Sequence, residues 1–204
     1  MIVKRTQSCP GAQYDQGAWQ LFPGYRKRRF SIMDTSNIRY QICTLEEKDM
    51  VVDFLMSVGE ELALTKRSEA AEITNLLFAK GGAMISCLNS EVVAMLGYFL
   101  GEPTQSYANK EVGFIYVTAI AKPYRLSPLM WNGMNFAVRQ LRTMGVKEIR
   151  CHAREHDRYT NRLYAHFARP LRKERNRRGT PCILYGNSAD NILAYMERRG
   201  TSPT

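Results

Sequence analysis

Two histidines, His152 and His156, stand four residues apart, a spacing that could bring two imidazoles to one metal ion. Zinc sites in proteins use three or four histidine, cysteine or carboxylate ligands. The pair straddles the predicted end of a strand, and no acidic or cysteine ligand set completes it. The sequence therefore predicts no metal site.

The cysteines are the next group with reactive side chains. They are odd in number, far apart, and never spaced as Cys-x-x-Cys, and four of them fall inside apolar runs that read as strands. Free cysteines are commonly small buried residues, and disulfides are rare in reducing compartments. We therefore interpret all five as core residues of a protein in a reducing compartment: Cys9, Cys43, Cys87, Cys151 and Cys182.

The formal net charge of +10 is unevenly distributed. One basic cluster is Arg26-Lys27-Arg28-Arg29, and a second runs from Arg169 to Arg178 with only Glu174 to dilute it. A basic protein is attracted to nucleic acid, anionic membrane surface, acidic protein or a phosphorylated cofactor. Each cluster is either a solvated face or a contact for a polyanion or a protein assembly partner.

Composition excludes several classes of protein. The chain has 204 residues, of which 45% are hydrophobic and 24% charged, as in globular water-soluble proteins. No apolar stretch approaches the roughly 18 residues of a membrane helix, and polar residues 6–10 interrupt any signal peptide. We expect no membrane insertion, and a cytoplasmic location or assembly in a virion or large complex.

Residues 1–37 lack a sustained helical or strand period, although they contain turn formers, aromatic residues and the first basic cluster. Such a segment suits an extended arm that lies on its own domain or on a partner. Alternatively, Met33 is the true translation start, because it directly precedes the first clear strand.

From residue 38 onward the hydrophobic pattern is regular and predicts an α/β domain over 38–186, followed by a C-terminal helix and tail at 187–204. Capping and turn residues mark most boundaries. The predicted strands are Ile38–Thr44, Ala83–Leu88, Glu91–Leu100, Val112–Ala121, Lys147–Ala153, Leu171–Asn176 and Pro181–Tyr185; the predicted helices run from Thr44 to about Val58, Ser68–Lys80, Ser127 to Gly145, from about Asp157, and Ser188–Arg199.

Two segments carry a family resemblance. Residues 115–149, IYVTAIAKPYRLSPLMWNGMNFAVRQLRTMGVKEI, resemble the central block of the GNAT N-acetyltransferase superfamily, and residues 157–168, DRYTNRLYAHFA, resemble its later Asn-x-x-Ala-x-x-Leu-Tyr block. The order of predicted elements also matches the family. The resemblance implies a GNAT-like acyl-CoA N-acyltransferase fold, in which a mixed, twisted sheet of six or seven strands has helices on both faces. It further implies that Val112–Ala121 is central and that Lys147–Ala153 runs parallel to it and splays from it to admit the cofactor.

In the family, a loop reading Arg/Gln-x-x-Gly-x-Gly/Ala holds the pyrophosphate of acyl-CoA through backbone amides at a helix start. The equivalent positions here depart from that pattern. Arg125 matches, but Pro128 lacks an amide hydrogen and Met130 brings a bulky side chain where a glycine is usual. The resemblance therefore implies a degenerate acetyl-CoA site at Ile120, Arg125, Leu126, Ser127, Pro128, Leu129 and Met130, with Ile120 near the oxyanion contact.

The later block implies the chemistry. Tyr164 matches the tyrosine that in many members lies near the CoA sulfur and protonates the departing thiolate, although it could equally be an aromatic core residue. Asp157 replaces the usual asparagine beside the cofactor. The reaction would also need a base for the amine, and the candidates are Glu111, His152 and Glu155, with Glu111 taken as the first choice.

Three functions follow from these observations. The first is an acetyl-CoA-dependent N-acetyltransferase acting on an unidentified amine. The second is a degenerate GNAT-fold component of a larger assembly such as a virion, which the altered glycine loop, Asp157 and the basic arm favour. The third is a nucleic-acid-binding module, which lacks the residue pattern of recognised RNA-binding motifs.

Overall fold

The computed structural model describes residues 37–125 and 127–200. The predictions for the N-terminal arm, for its basic cluster and for Leu126 lie outside these residues. Within this part of the chain, no helix is long and apolar enough to cross a membrane.

The strands and helices follow the predicted order, with one additional short helix between the first two predicted helices. The strands are β1 (Arg39–Ile42), β2 (Gly81–Leu88), β3 (Glu91–Leu100), β4 (Val112–Ile120), β5 (Glu148–Arg154), β6 (Arg169–Arg175) and β7 (Pro181–Ser188). The helices are α1 (Lys48–Ser57), α2 (Gly59–Leu62), α3 (Arg67–Lys80), α4 (Leu129–Thr143), α5 (Arg158–Tyr164) and α6 (Ala189–Gly200).

Seven strands of the described residues form one mixed sheet in the order β1-β2-β3-β4-β5-β7-β6. The prediction that Val112–Ala121 is central is confirmed, because β4 is the fourth strand. The predicted parallel pairing is also confirmed: β4 and β5 run parallel, and the other neighbours are antiparallel. A parallel neighbour requires a crossover connection, which α4 provides.

Helices cover both faces of the sheet, as predicted. On one face, α1 and α3 bury a core that includes Val51, Leu55, Leu77 and Phe99. On the opposite face, α4, α5 and α6 cover a second core that includes Leu141 and Ile192. We call these the α1–α3 face and the α4–α6 face. The C-terminal helix α6 thus packs within the domain, against α4.

Local signals explain the element boundaries. The predicted β2–β3 turn is confirmed, because Asn89 and Ser90 adopt the positive φ angles of 49° and 70° that suit a tight hairpin. Gly145, at a φ of 90°, follows the end of α4 as expected for a residue after a helix. The prediction that α4 begins at Ser127-Pro128 is off by one to two residues. Its first residue is Leu129, whose amide donates to Ser127 Oγ at 3.3 Å.

Candidate active site

The two parallel strands of the sheet pair over only part of their length. β4 and β5 pair over four residues only, from Val112 opposite Glu148 to Ile115 opposite Cys151. Beyond that point β4 continues to Ile120 beside β3, and β5 continues to Arg154 beside β7. In the described register the two strands therefore separate after Ile115 and Cys151. We call this gap the β4–β5 opening.

A β-bulge decides which side chains of β4 point to each face at the opening. Gly97 pairs with Val117 and the next residue, Tyr98, pairs with Ile115, so β4 carries one extra residue at Tyr116. Strict alternation would place Ile115 and Thr118 on opposite faces, and the extra residue puts them on the same face. Thr118 therefore points to the α4–α6 face, where α5 lies.

Tyr164 reaches this same place from the end of α5. Its ring packs edge-on against Phe167 and Tyr185, with centroids 5.6 and 5.8 Å away. Burial raises the pKa of its hydroxyl well above the ordinary value, as do Cys151 and Asp157, while a hydrogen bond with the Thr118 side chain acts in the opposite direction. The opening is thus bridged by two hydroxyl side chains, one from each side.

The loop from β5 into α5 is rigidly built, and this positions Tyr164. Asp157 caps the helix: its carboxylate accepts from the Thr160 amide at 3.0 Å and from the Thr160 hydroxyl at 2.6 Å. These bonds hold the pKa of Asp157 below its ordinary value. Asn161 donates to the carbonyls of Arg154 and Asp157 at 2.8 and 2.7 Å and accepts from the Tyr185 hydroxyl at 3.0 Å. Asp157 therefore caps α5, and its carboxylate is the group that accepts the capping hydrogen bonds.

The segment proposed to bind pyrophosphate makes internal hydrogen bonds. The Ser127 amide donates to the Tyr124 carbonyl at 3.1 Å, and the Leu129 amide donates to Ser127 Oγ. Pro128 has no amide hydrogen, and the Leu129 side chain is buried. The amides of Ser127 and Leu129, which an anion would need, therefore already donate hydrogen bonds to other groups of the protein.

Arg125 is also engaged within the domain. Its Nε donates to the Ile120 carbonyl at 3.0 Å, and its Nη2 pairs with the Glu61 carboxylate of α2. The amide of Ala121 donates to the Val93 carbonyl at 2.9 Å. The structure thus brings Arg125 and Ile120 together at the end of β4, and a carboxylate holds the guanidinium there.

The three candidate bases occupy different places. Glu111 precedes the first residue of β4, at the closed end of the strand pair, where it bonds Lys147 at 2.6 Å; the structure does not bring it together with Tyr164. Glu155 follows β5 and pairs with Lys173, and that hydrogen bond keeps the pKa of its carboxyl below the ordinary value. His152 is the first residue of β5 beyond the pairing with β4, so it lies at the opening.

His152 points to the α1–α3 face, opposite to Tyr164. Its ring packs edge-on against Phe114, 5.0 Å between centroids, and its Nε2 lies 2.5 Å from Glu174 Oε1. Both side chains of this pair are largely buried, at 15% and 13% exposure. Because His152 is packed and bonded in this way, its ring orientation is fixed.

An ionic network continues from Glu174 across the same face. Arg172 binds Glu174 at 2.6 Å and also binds Glu102, which in turn binds Arg150. Glu102 is only 1% exposed. Burial raises the pKa of its carboxyl, but hydrogen bonds from Thr104 and Arg150 and the positive charges of both arginines outweigh it, so the pKa is lowered overall.

Sequence reasoning missed four contributors to this region: Thr118, Glu174, Glu61 and Asn161. Glu174 lies 22 residues from His152, and Glu61 lies 64 residues from Arg125. No short motif joins such pairs, since each depends on the sheet order. His156 is exposed, and no group of three or more potential metal ligands occurs among residues 37–125 and 127–200.

Comparison with known structures identifies the architecture. No protein-family model and no curated protein sequence matches the chain. A GNAT-family acetyltransferase structure from Desulfovibrio desulfuricans is similar over 74% of this chain and 99% of its own, with a TM-score of 0.59 and 15% identity.

Two further structures are N-acetyltransferases of proteins. RimL, a ribosomal L7/L12 α-N-protein acetyltransferase solved with coenzyme A, is 8% identical over 78% of this chain and 98% of its own, with a TM-score of 0.59. The ribosomal-protein-S18-alanine N-acetyltransferase from Escherichia coli is 12% identical over 74% and 94%, with a TM-score of 0.54. The described domain therefore has the fold of the GNAT acetyltransferases.

Proposed function

We propose that this protein is an acetyl-CoA-dependent N-acetyltransferase that binds its cofactor weakly and acetylates an amine. The observation that carries the proposal is the bridge between Thr118 and Tyr164 at the β4–β5 opening. It brings a partly buried, protonated phenol to the point where the parallel strands separate, in the fold of known acetyltransferases. Fold alone does not fix function, so the argument rests on this site.

The described residues fit the acyl-pantetheine end of acetyl-CoA better than its pyrophosphate. Beyond Ile115, the described pairing of β4 is with β3, and the strand edge toward β5 is left for a flexible acyl-pantetheine arm. At the start of α4, the Ser127 and Leu129 amides are committed, and Pro128 has none to offer. We therefore infer that the pantetheine arm, with Tyr164 and Thr118 near its sulfur, contributes more to binding than the pyrophosphate does.

Tyr164 is suited to protonate a departing thiolate. When bound, acetyl-CoA supplies an activated acyl thioester. The raised pKa of Tyr164 means that the phenol keeps its proton at neutral pH. A hydroxyl that is protonated at working pH can act only as a donor toward an anion, and Thr118 orients it.

His152 is the best placed of the three candidate bases. An amine nucleophile must lose a proton, and a neutral imidazole accepts one near neutral pH. His152 lies at the opening on the α1–α3 face, while Tyr164 lies on the other face. The Glu174 carboxylate would stabilise the imidazolium that forms, as an orienting acid does for a histidine base.

The test combines calorimetric titration of the full chain with acetyl-CoA and a single-turnover acetylation assay on small amines and peptide N-termini. We expect weak binding, and acetylation that depends on Tyr164. Micromolar binding would show that the altered loop is functional. Turnover unchanged in Tyr164→Phe would contradict the assignment of the proton donor.

A second candidate is a GNAT-fold protein that no longer binds acetyl-CoA and serves in a larger assembly. The observation that favours it is the engagement of Arg125 by Glu61 and Ile120 together with the committed amides of Ser127 and Leu129. Complete absence of acetyl-CoA and CoA binding at millimolar concentration would select this candidate.

A further inference from the structure

The positive charge of the described domain is concentrated in one stretch of 25 residues. Residues 154–178 contain nine basic and three acidic side chains, a net +6. Residues 1–36 contain six basic and two acidic side chains, a net +4. In the rest of the chain, 14 basic side chains balance 14 acidic ones. The whole net charge of the described domain therefore comes from the end of β5, α5, β6 and the turn after β6.

These elements converge at one end of the sheet. Arg154, the last residue of β5, pairs with Cys182 near the start of β7, and Arg175, the last of β6, pairs with Pro181. The β6–β7 turn and the loop into α5 therefore lie beside each other. A hydrogen bond from the Glu155 amide to the Pro181 carbonyl, 3.1 Å long, joins them directly.

Most of these positive charges are not neutralised. Ion pairs among the described residues involve only Arg172 and Lys173 of the nine. Arg175 and Arg177 bond to neutral acceptors, the Gly179 carbonyl and the Tyr107 hydroxyl. Of the seven remaining exposed arginines, Arg169 begins β6 opposite Gly186, away from this end of the sheet. We call the other six the arginine surface: Arg154, Arg158, Arg162, Arg175, Arg177 and Arg178.

Protection of a sheet edge explains only part of this surface. In the described sheet β6 is an edge strand, and charged side chains, Pro170 and the irregular register near Leu171 all discourage an additional strand. Arg158 and Arg162 lie on a helix, however, and Arg177 and Arg178 lie in a turn. Charge at these positions does not protect the strand, and the protected edge disfavours an acidic peptide that would bind by strand addition.

The side-chain chemistry favours a polyphosphate partner. All six charges are guanidinium groups, which bind phosphate through paired hydrogen bonds. Tyr159 stands next to Arg158 on α5 and is 64% exposed. An exposed ring among arginines offers a surface on which a nucleobase can stack. We propose that the arginine surface binds single-stranded nucleic acid through its phosphate backbone, whether or not the domain is an acetyltransferase.

The experiment measures the fluorescence anisotropy of a labelled single-stranded RNA of about 20 nucleotides, and of the matching DNA, titrated with the full chain at several salt concentrations. The test variant carries R158Q, R162Q, R177Q and R178Q. Its matched control loses the same charge elsewhere through R39Q, K66Q, R67Q and R142Q. We expect the test variant to bind at least tenfold more weakly. We expect the salt slope to fall by about 2.8, because each lost phosphate contact on a single strand contributes about 0.7.

Tyr159→Ala should weaken binding roughly fivefold or more, since base stacking contributes about 1–3 kcal/mol per base. Circular dichroism and thermal unfolding establish that each variant is folded. The proposal fails if the unmodified chain does not bind either oligonucleotide, or if the control variant loses as much affinity as the test variant. It also fails if polyglutamate of equal charge competes better than RNA, which would identify an acidic protein as the partner.

Discussion

His152 on β5 and Glu174 on β6 are hydrogen-bonded across the intervening strand β7, with 2.5 Å between Nε2 and Oε1. Both pair with residues of β7, His152 opposite Leu184 and Glu174 opposite Cys182. The contact therefore depends on the strand order β5-β7-β6. On the other side of β5, the β4–β5 pairing ends at Cys151, which puts His152 at the β4–β5 opening.

His152→Gln should lower kcat by about 100-fold or more if His152 is the base, since general acid–base groups contribute roughly 10²–10⁴. Single-turnover acetylation at saturating acetyl-CoA measures this loss.

Two matched variants make this test specific. His156→Gln removes the exposed histidine four residues away and should leave kcat unchanged. Glu174→Gln keeps the shape but not the charge of the orienting group, and should reduce kcat with little effect on KM. A kcat that is unchanged in His152→Gln would assign the base to another residue.

Tyr164→Phe should slow turnover by about 10²-fold or more while acetyl-CoA affinity changes little, because its proposed role is proton donation. Thr118→Val, which removes only the orienting hydroxyl, should cost up to about tenfold, the worth of one neutral hydrogen bond. Because the pKa of Tyr164 is raised above the ordinary 10.0, the rate should hold through pH 10. Tyr159→Phe, at an exposed position on the same helix, is the control; a large drop in affinity with Tyr164→Phe would instead indicate a binding role.

Glu102→Gln should destabilise the domain by about 3 kcal/mol, because it removes the buried carboxylate that pairs with both Arg150 and Arg172. The folded-state pKa of Glu102 is lowered from 4.5, so its stabilisation is present above that pH and is lost as the pH falls through the folded value. Urea unfolding at pH 7 and at pH 3 should therefore show a larger difference in unfolding free energy between variant and parent at pH 7.

The control is Glu111→Gln, which breaks an exposed pair with Lys147 and should lower the unfolding free energy by under about 1 kcal/mol. Equal effects of the two substitutions would contradict the buried-network interpretation.

The fold could be predicted from the sequence because local patterns and one resemblance agreed. The unbroken apolar run at Val112–Ala121 indicated a central buried strand, and Asn89-Ser90 indicated the hairpin turn. The one-turn helix Gly59–Leu62 was missed, since four residues carry no measurable period.

The site was predictable only in outline. Tyr164 and Arg125 were proposed from family motifs, but their surroundings depend on contacts between distant residues. The bulge at Tyr116 determines the face of Thr118, and an apolar run of nearly continuous residues gives no sign of where a strand gains an extra residue. The helix predicted from about Asp157 is confirmed, since Asp157 caps α5 through Thr160, and its contact with a cofactor stays a prediction.

Deletion of residues 1–32 should leave a folded domain with an altered assembly or nucleic-acid-binding state. The arm is expected to contribute Trp19, Phe22 and Tyr25 to the surface of the domain or of a neighbouring chain, rather than to the core. Thermal unfolding should stay cooperative in the truncated chain, and light scattering should reveal any change in mass. Loss of cooperative unfolding would show that the arm completes the core.

The affinity for acetyl-CoA should be weak in the unmodified chain and stronger after repair of the loop. Each lost charge-assisted hydrogen bond costs about 1.5–3 kcal/mol, and roughly 1.4 kcal/mol is a factor of ten, so one or two losses move a micromolar Kd toward the millimolar range. Replacing Pro128 and Met130 with glycine restores one amide donor and clears the approach to it. We expect calorimetry to show at least tenfold tighter binding in this double variant.

Glu61→Gln tests in a second way whether acetyl-CoA binding can be strengthened, because it releases the Arg125 guanidinium from its ion pair. If Arg125 contacts the cofactor phosphates, this variant should also bind acetyl-CoA more tightly, and adding Arg125→Ala should abolish the gain. Glu60→Gln, on the same short helix, removes an equal charge and is the control. Equal gains in Glu60→Gln and Glu61→Gln would mean that overall charge, rather than the freed guanidinium, governs the affinity. Micromolar binding by the unmodified chain would show that the loop binds pyrophosphate despite Pro128.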